Sequence, residues 1–349
     1  MNEIRNGMRL DEIYSAKLRA LYAGYGYRMY KVNRFEEYDL YVQNKNFLTD
    51  ERILTFTDLN GRLKALKPDI TLSVVRNTRD EKLPVRICYA ESAYRVPKGE
   101  TEFHEIMQTG IEYIGTLNTL VMSEIVLLAG KSLQLISDTY SLEISHMGLI
   151  AEILECCGVG DQVKAVLEML RRKDRHAVMN LAAELGLEEK KAKLLDTLVV
   201  MSGPLGESCR KLMAFDLSEK AKQILLEMME MDDILGGVWT GCLNLDFSVL
   251  SDLGYYNGLV LSGFVEGIPV PVLSGGQYDP LLRRLGRTGQ GIGFAVYLNQ
   301  IDRCIREEKK ETEQVQISGK ADRKEAFAEL ERRRAHGEAL AMMVPGGAE

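Results

Sequence analysis

The stretch SGGQYDPLLRRLGRTGQGIGFAVYLNQI, residues 274–301, carries the pattern on which the fold turns. Its opening reads as the end of a strand, followed by a glycine-rich turn, and the remainder reads as an amphipathic helix. Just upstream, residues 259–265 have strand character, turn at Glu266-Gly267 and resume over 268–273. A hairpin therefore feeds the Gly275-Gly276 segment, and a sheet with helices packed on it follows.

Working outward, Leu10, Ile13, Tyr14, Leu18 and Leu21 share one helical face, and that helix ends near Gly24 and Gly26. Residues 55–58, 63–66 and 85–89 read as short strands between turn residues, 107–115 as another, and 140–146 (YSLEISH) alternates as a half-buried strand does. From about 148 to 235 the spacing turns helical. Val163, Val166, Leu167 and Leu170 form one stripe, Leu187, Leu194, Leu195 and Leu198 another, and Asp216 with Glu219 reads as a cap. The fold class expected is α+β: an antiparallel sheet flanked by helices, with residues 1–147 and 236–305 as a discontinuous core and 148–235 as a helical insertion. A charged linker and a short strand-helix-strand appendage occupy 306–349, too little chain to bury a core alone.

The chain has 349 residues and a formal net charge of −7. A large nucleic-acid surface is disfavoured, because phosphate binding needs clustered Lys and Arg. Six cysteines (Cys88, Cys156, Cys157, Cys209, Cys242, Cys304) lie scattered without CxxC spacing beside four histidines, so no metal site is expected and reduced core thiols are the simpler reading. The N-terminus reads without an apolar leader and no apolar run is long enough to span a bilayer, so a cytoplasmic location with no membrane partner is expected.

Four segments together resemble the histidyl-tRNA synthetase family: residues 274–301 as quoted, TFTDLNGRLKALKPDITLSVVR (55–76), YAESAYRVPKGETEFHEIMQTGIEYIG (89–115) and FSVLSDLGYYNGLVLSGFVEG (247–267). They occur in the family's order over most of the chain before the tail, and the resemblance implies a class II aminoacyl-tRNA synthetase-like fold. It also implies a histidine pocket made of Asp69, Thr71, Gln108 and Glu112, with Tyr255, Tyr256 and Tyr278, and with Arg95 as the carboxylate anchor. From period two alone, Gln108, Gly110 and Glu112 share a sheet face, where an amide and a carboxylate can bind an ammonium or imidazole group.

The same resemblance marks what is missing. Asn299 and Gln300 stand where the pattern has an acidic residue and an ATP-gripping arginine. Ser251 replaces a second arginine, and Gly254 an aspartate. An amide lacks the permanent charge and planar donor fork that a guanidinium offers phosphate. The loop after Arg95 has Val96 and Pro97 in place of the usual glutamate, and Glu100, Glu102 and Glu105 make it hostile to polyphosphate. No catalytic residue and no cofactor are therefore expected.

Lost arginines, a shortened tail and an acidic balance resemble the regulatory-subunit family of ATP phosphoribosyltransferase. That resemblance implies a short-form catalytic subunit as partner, self-dimerisation through the N-terminal helix and its following strand within a hetero-octamer, and L-histidine as ligand. The alternatives are a divergent histidyl-tRNA synthetase and a synthetase-like histidine sensor for another partner. Plainer readings stand beside these. A single tyrosine pair is more often structural, His104 reads as a solvated loop residue without a partner, and the Gly289–Gly293 run fits tight packing of a helix on a sheet.

Overall fold

A nine-stranded sheet organises the larger part of the protein, and its middle strands are apolar runs buried on both faces. Edge to edge the strands are Arg28–Met29, Val85–Arg95, His104–Gly115, Gln290–Tyr297, Leu273–Gln277, Leu259–Val265, Tyr140–His146, Leu243–Asp246 and Ser202–Pro204. The six from Val85–Arg95 to Tyr140–His146 pair antiparallel throughout. Two pairings depart from the antiparallel expectation: edge strand Arg28–Met29 runs parallel to Val85–Arg95, and Leu243–Asp246, next to the other edge, parallel to Tyr140–His146, with Ser202–Pro204 antiparallel to it. A smaller three-stranded sheet joins Phe35–Glu37, Leu63–Leu66 and Thr55–Thr57.

This computed structural model describes residues 8–44, 52–79, 84–96, 100–250, 255–304, 313–316, 332–333 and 340–343. The chain divides into two compact units, Leu10–Ile301 and the combination of Met1–Arg9 with Asp302–Glu349. In the latter, Glu313–Gln316 pairs parallel with Leu340–Met343.

Cross-strand register separates the faces of the large sheet. Cys88, Ile111, Phe294, Gly275, Leu261, Ile144 and Leu245 lie in one row. Their side face is covered by helices Leu10–Gly24 and Thr119–Gln134: Tyr22 meets Phe294 edge-on at 5.9 Å. Ile111, Ile144 and Leu245 are fully buried, each worth about 1.5–3 kcal/mol relative to exposure. The N-terminal helix buries Ser15, Leu18 and Tyr22, whereas Leu10, Ile13, Tyr14 and Leu21 are only half-buried. Gln108, Gly110 and Glu112 take the opposite face, and the site is built there.

The helical segment opens with Met147–Cys157, whose first turn is capped by His146 Nδ1 accepting the Leu149 N–H at 3.1 Å. Helices Val163–Arg172, Arg175–Glu184, Glu189–Val200, Leu205–Met213 and Glu219–Gly236 follow. Their apolar stripes bury Val166, Leu167 and Leu170, then Leu194, Leu195 and Leu198. Lys173 ends its helix at φ 52°, a strained position for a residue with a Cβ. Its Nζ donates to buried Asp246 Oδ2 at 2.6 Å, tying this segment to the sheet.

Several local expectations are corrected. Residues 290–297 form a strand rather than part of a helix: QGIGFAVY is nearly all buried, and a doubly buried strand has no alternation to distinguish it from a helix. A short helix, Asp279–Arg284, precedes it and another, Leu298–Cys304, follows. Gly291 and Gly293 of the 289–293 run therefore serve a strand, with Gly289 just before it. The hairpin's second arm begins at Leu273 rather than 268, with Leu273 opposite Gly263. Ser218, not Asp216, caps helix Glu219–Gly236, its Oγ accepting the Ala221 N–H at 3.1 Å. Not every thiol is internal, since Cys242 is exposed. Among the described residues, no helix is long and apolar enough to cross a membrane, and no cluster of three or more His, Cys, Asp or Glu could hold a metal.

Candidate functional site

Glu112 is the centre of the site. It lies 1% exposed in the middle of His104–Gly115, with Ile87 and Gly293 as its cross-strand partners. A Cβ at position 293 would overlap the Glu112 carboxylate, so glycine there makes room for the acid. Thr71 Oγ1 donates to Oε1 at 2.6 Å and Tyr278 OH donates to Oε2 at 2.6 Å. Desolvation pushes the Glu112 carboxyl up to about 8, against these hydroxyls and the Tyr89 hydroxyl, which hold it down. The carboxyl is thus met by hydroxyls from three separate parts of the chain.

Helix Ile70–Asn77 brings Asp69 and Thr71 to this face. Asp69 is its N-cap, accepting the Leu72 N–H at 2.7 Å, which satisfies a backbone donor the helix start leaves free. Burial raises the Asp69 carboxyl above its usual range, while the Leu72 N–H and Arg95 pull it back. Arg95 ends strand Val85–Arg95. Desolvation works against its charge, yet the Tyr297 hydroxyl it bonds and the Asp69 carboxylate raise its pKa overall.

Gln108 is 6% exposed and sits opposite Tyr297 and Glu91 in the register, two residues from Gly110 and four from Glu112. Tyr255 and Tyr256 cross edge to face at 4.6 Å, and Tyr255 packs with Tyr256 and Tyr278 against a shared core. Of the residues expected for the pocket, Thr71 and Tyr278 bond Glu112, Tyr255 and Tyr256 cross each other beside Tyr278, and Arg95 acts on Asp69; Gln108 shares their sheet face by register alone.

Sequence reasoning missed a second set. Lys67 is fully buried and pairs with Glu91 at 3.2 Å, and Glu91 also accepts the Val32 N–H at 3.2 Å. Burial holds the Lys67 ammonium below its usual value, against the pull of Glu91. Nothing in the sequence around Lys67 marks it as buried, since its neighbours in LKALKP include an exposed strand end and a second lysine. Asp279 also went unnoticed. It is 4% exposed and accepts from Asn257 Nδ2 at 3.0 Å, Gln277 Nε2 at 2.8 Å and the Gly291 N–H at 3.0 Å.

The family model described as histidyl-tRNA synthetase matches residues 8–301. The chain belongs to the histidyl-tRNA synthetase family. Within it, the chain is similar to a protein named ATP phosphoribosyltransferase regulatory subunit from Bacillus cereus (strain G9842), 28% identical over 317 residues, spanning 88% of this chain and 75% of that protein. A protein of the same name from Bacillus mycoides (strain KBAB4) is 26% identical over 314 residues, spanning 86% and 73%. Among solved structures, an ATP phosphoribosyltransferase regulatory subunit/histidyl-tRNA synthetase from Bacillus halodurans superposes with a TM-score of 0.79 at 24% identity, covering 97% of this chain and 89% of that one. Histidyl-tRNA synthetase from Nostoc sp. PCC 7120 superposes at 0.75 with 15% identity, covering 97% and 83%. These likenesses establish the class II synthetase-like fold.

Against the family pattern, Gln300 lies half-buried in helix Leu298–Cys304 where an arginine was expected. Its neighbour Asn299 ties that helix to strand His104–Gly115, with Oδ1 accepting the Met107 N–H at 2.6 Å and Nδ2 donating to Glu105 O at 3.1 Å. A carboxylate there could accept but not donate. Ser251, Gly254 and Pro97 lie outside the described residues. His104 is corrected from a solvated loop residue without a partner: it begins strand His104–Gly115, with Nε2 2.9 Å from Glu100 Oε2.

Proposed function

We propose that this chain is a non-catalytic regulatory subunit of ATP phosphoribosyltransferase, required by a short catalytic subunit in the first step of histidine biosynthesis and involved in feedback by histidine. The observation that carries the reading is the coincidence, in one chain, of relatives that bear the regulatory-subunit name over 88% of its length with Gln300 in place of an ATP-binding arginine. A chain of the ATP phosphoribosyl transferase complex from Thermotoga maritima shares the fold, with a TM-score of 0.65 at 17% identity over 83% of this chain and 97% of that one.

On this reading the pocket binds histidine without activating it. Arg95 anchors the carboxylate, Asp69, Thr71 and Gln108 receive the ammonium, and Glu112 with the tyrosines receives the imidazole. Amino-acid activation needs cations that stabilise charge on the α-phosphate as it develops; the amide of Gln300 and the hydroxyl of Ser251 supply none. Histidine acts by coupling: if it binds active and inhibited assemblies unequally, it shifts their balance by about 1–3 kcal/mol.

The test is reconstitution. The purified chain is mixed with the short ATP phosphoribosyltransferase of the same organism, and phosphoribosyl-ATP formation is followed with and without histidine. Activity confined to the mixture and falling with histidine supports the reading. No stimulation, together with histidine-dependent ATP–pyrophosphate exchange by this chain alone, overturns it in favour of a divergent synthetase.

A further inference from the structure

We infer that Asp279 and Asn257 form a positioning pair that joins the Tyr255-Tyr256 and Tyr278 segments and sets the Tyr278 hydroxyl on Glu112. The inference rests on the reading of the pocket as a histidine site. Asn257 directly follows Tyr255 and Tyr256, and Asp279 directly follows Tyr278, so each partner is covalently joined to the aromatic group it places.

The pair is reciprocal. Asn257 Nδ2 donates to Asp279 Oδ2 at 3.0 Å, and the Asp279 backbone N–H donates back to Asn257 Oδ1 at 3.1 Å. Around it the backbones are also stitched: the Asn257 N–H donates to Gln277 O at 3.0 Å, and the Tyr278 N–H to Gly291 O at 2.8 Å. The Asp279 carboxylate fixes the remaining freedom. Its Oδ1 takes the Gly291 N–H and its Oδ2 takes Gln277 Nε2, so two segments that are 22 residues apart share one acceptor group. Among the described residues its three donors are all amides, and none is a cation. A carboxylate buried without a counter-charge is a costly choice for mere packing, whereas it is the one side chain of this size that accepts on both oxygens and repels nothing there.

The geometry leads directly to the site. With Asp279 held, the Tyr278 ring fills the space a Cβ at Gly291 would take, and its hydroxyl reaches Glu112 Oε2 at 2.6 Å. Asp279→Asn is nearly isosteric but turns one acceptor into a donor that faces donors, so the Tyr278 segment loses its fixed register while the apolar core around it is untouched.

The experiment follows two signals in the full chain: the titration midpoint of the Glu112 carboxyl by NMR with 13C-labelled glutamate, identified by its loss in Glu112→Gln, and histidine affinity by calorimetry. In the wild type the carboxyl midpoint is expected well above 4.5, near the value of about 8 to which burial pushes it. In Asp279→Asn the midpoint moves up, because the Tyr278 hydroxyl no longer favours the charged form, and histidine affinity falls about tenfold, the scale of one hydrogen bond to a charged group. Tyr278→Phe moves the midpoint the same way, and the double variant moves it no further. The exchange Asn257→Asp with Asp279→Asn restores an acceptor opposite a donor and brings both signals part-way back. A purely structural role lowers the melting temperature and leaves midpoint and affinity unmoved; that result overturns the inference. Should Asp279→Asn not fold, Asn257→Ala removes one of the three donors and is read by the same two signals. If the wild type itself does not bind histidine, the histidine reading falls, and the Glu112 midpoint alone decides for or against the pair.

Discussion

Tyr278 donates its hydroxyl to Glu112 Oε2 at 2.6 Å across 166 residues of sequence, at a carboxylate 1% exposed to solvent. Burial pushes this carboxyl up from 4.5 to about 8, while the Tyr278 hydroxyl works to hold it down. An acid whose folded pKa is raised binds more protons folded than unfolded between those values. Its contribution is fully present below the unfolded pKa and is lost as pH rises toward the folded one, by at most about 1.4 kcal/mol per pH unit. The difference in unfolding free energy between wild type and Glu112→Gln, measured by denaturant titration, is expected to shift against the wild type as pH rises from 4.5 to 8. A difference that stays flat over that range disproves the assignment.

His146 acts in the opposite sense. Burial lowers its pKa from 6.5 to about 4, so the unfolded state binds more protons between those values, and stability is present above 6.5 and lost as pH falls toward 4. Its Nδ1 caps helix Met147–Cys157. His146→Asn keeps a side-chain oxygen at the cap and cannot titrate. It is expected to hold its melting temperature near neutrality and to lose less than wild type on acidification, as thermal scans at stepped pH will report. His146→Ala, with no cap, is expected to cost about 1 kcal/mol at neutral pH.

The Lys67–Glu91 pair, with Lys67 at 0% exposure, gives a stability prediction at the pocket wall. Removing one partner of a buried ion pair strands the other charge, so Lys67→Met is expected to cost about 3–5 kcal/mol in urea unfolding. Adding Glu91→Gln to Lys67→Met recovers part of that loss, because a neutral amide is cheaper to bury than an unpaired carboxylate. Additive losses in the double variant would show that the two side chains act independently.

Arg95 and Gln300 separate binding from chemistry. Arg95→Ala is expected to weaken histidine binding by at least about tenfold in calorimetry, as expected for a lost charge-assisted bond. Gln300→Arg alone is expected to leave ATP–pyrophosphate exchange absent, because Ser251 still occupies the other arginine position. Exchange activity in that single variant would mean that only one cation had been lost.

Legibility followed how local each signal was. Residues 63–66 and 140–146 were readable because apolar alternation and flanking turns are encoded within a few residues, and the strands begin and end there. Gln290–Tyr297 was not, since a strand buried on both faces shows neither the helical nor the strand period. The pocket residues were legible as motifs, in which Asp69 and Thr71 sit two apart and Gln108 and Glu112 four apart. Lys67, Glu91 and Asp279 were not, because nothing in their own neighbourhoods distinguishes a buried charge from a solvated one.

By itself the sequence pointed to the family and placed Ser251 and Gln300 at positions where that resemblance implies arginines, both of which rest on residue identity within short motifs. Only the tertiary structure decided that Thr71, Tyr278 and Glu112 meet, that Glu112 is pushed toward neutrality, and that Asp279 binds the segments carrying the tyrosines. The reason is physical: desolvation and hydrogen-bond saturation depend on which groups are brought together in space, and the partners of Glu112 come from strands and helices far apart along the chain.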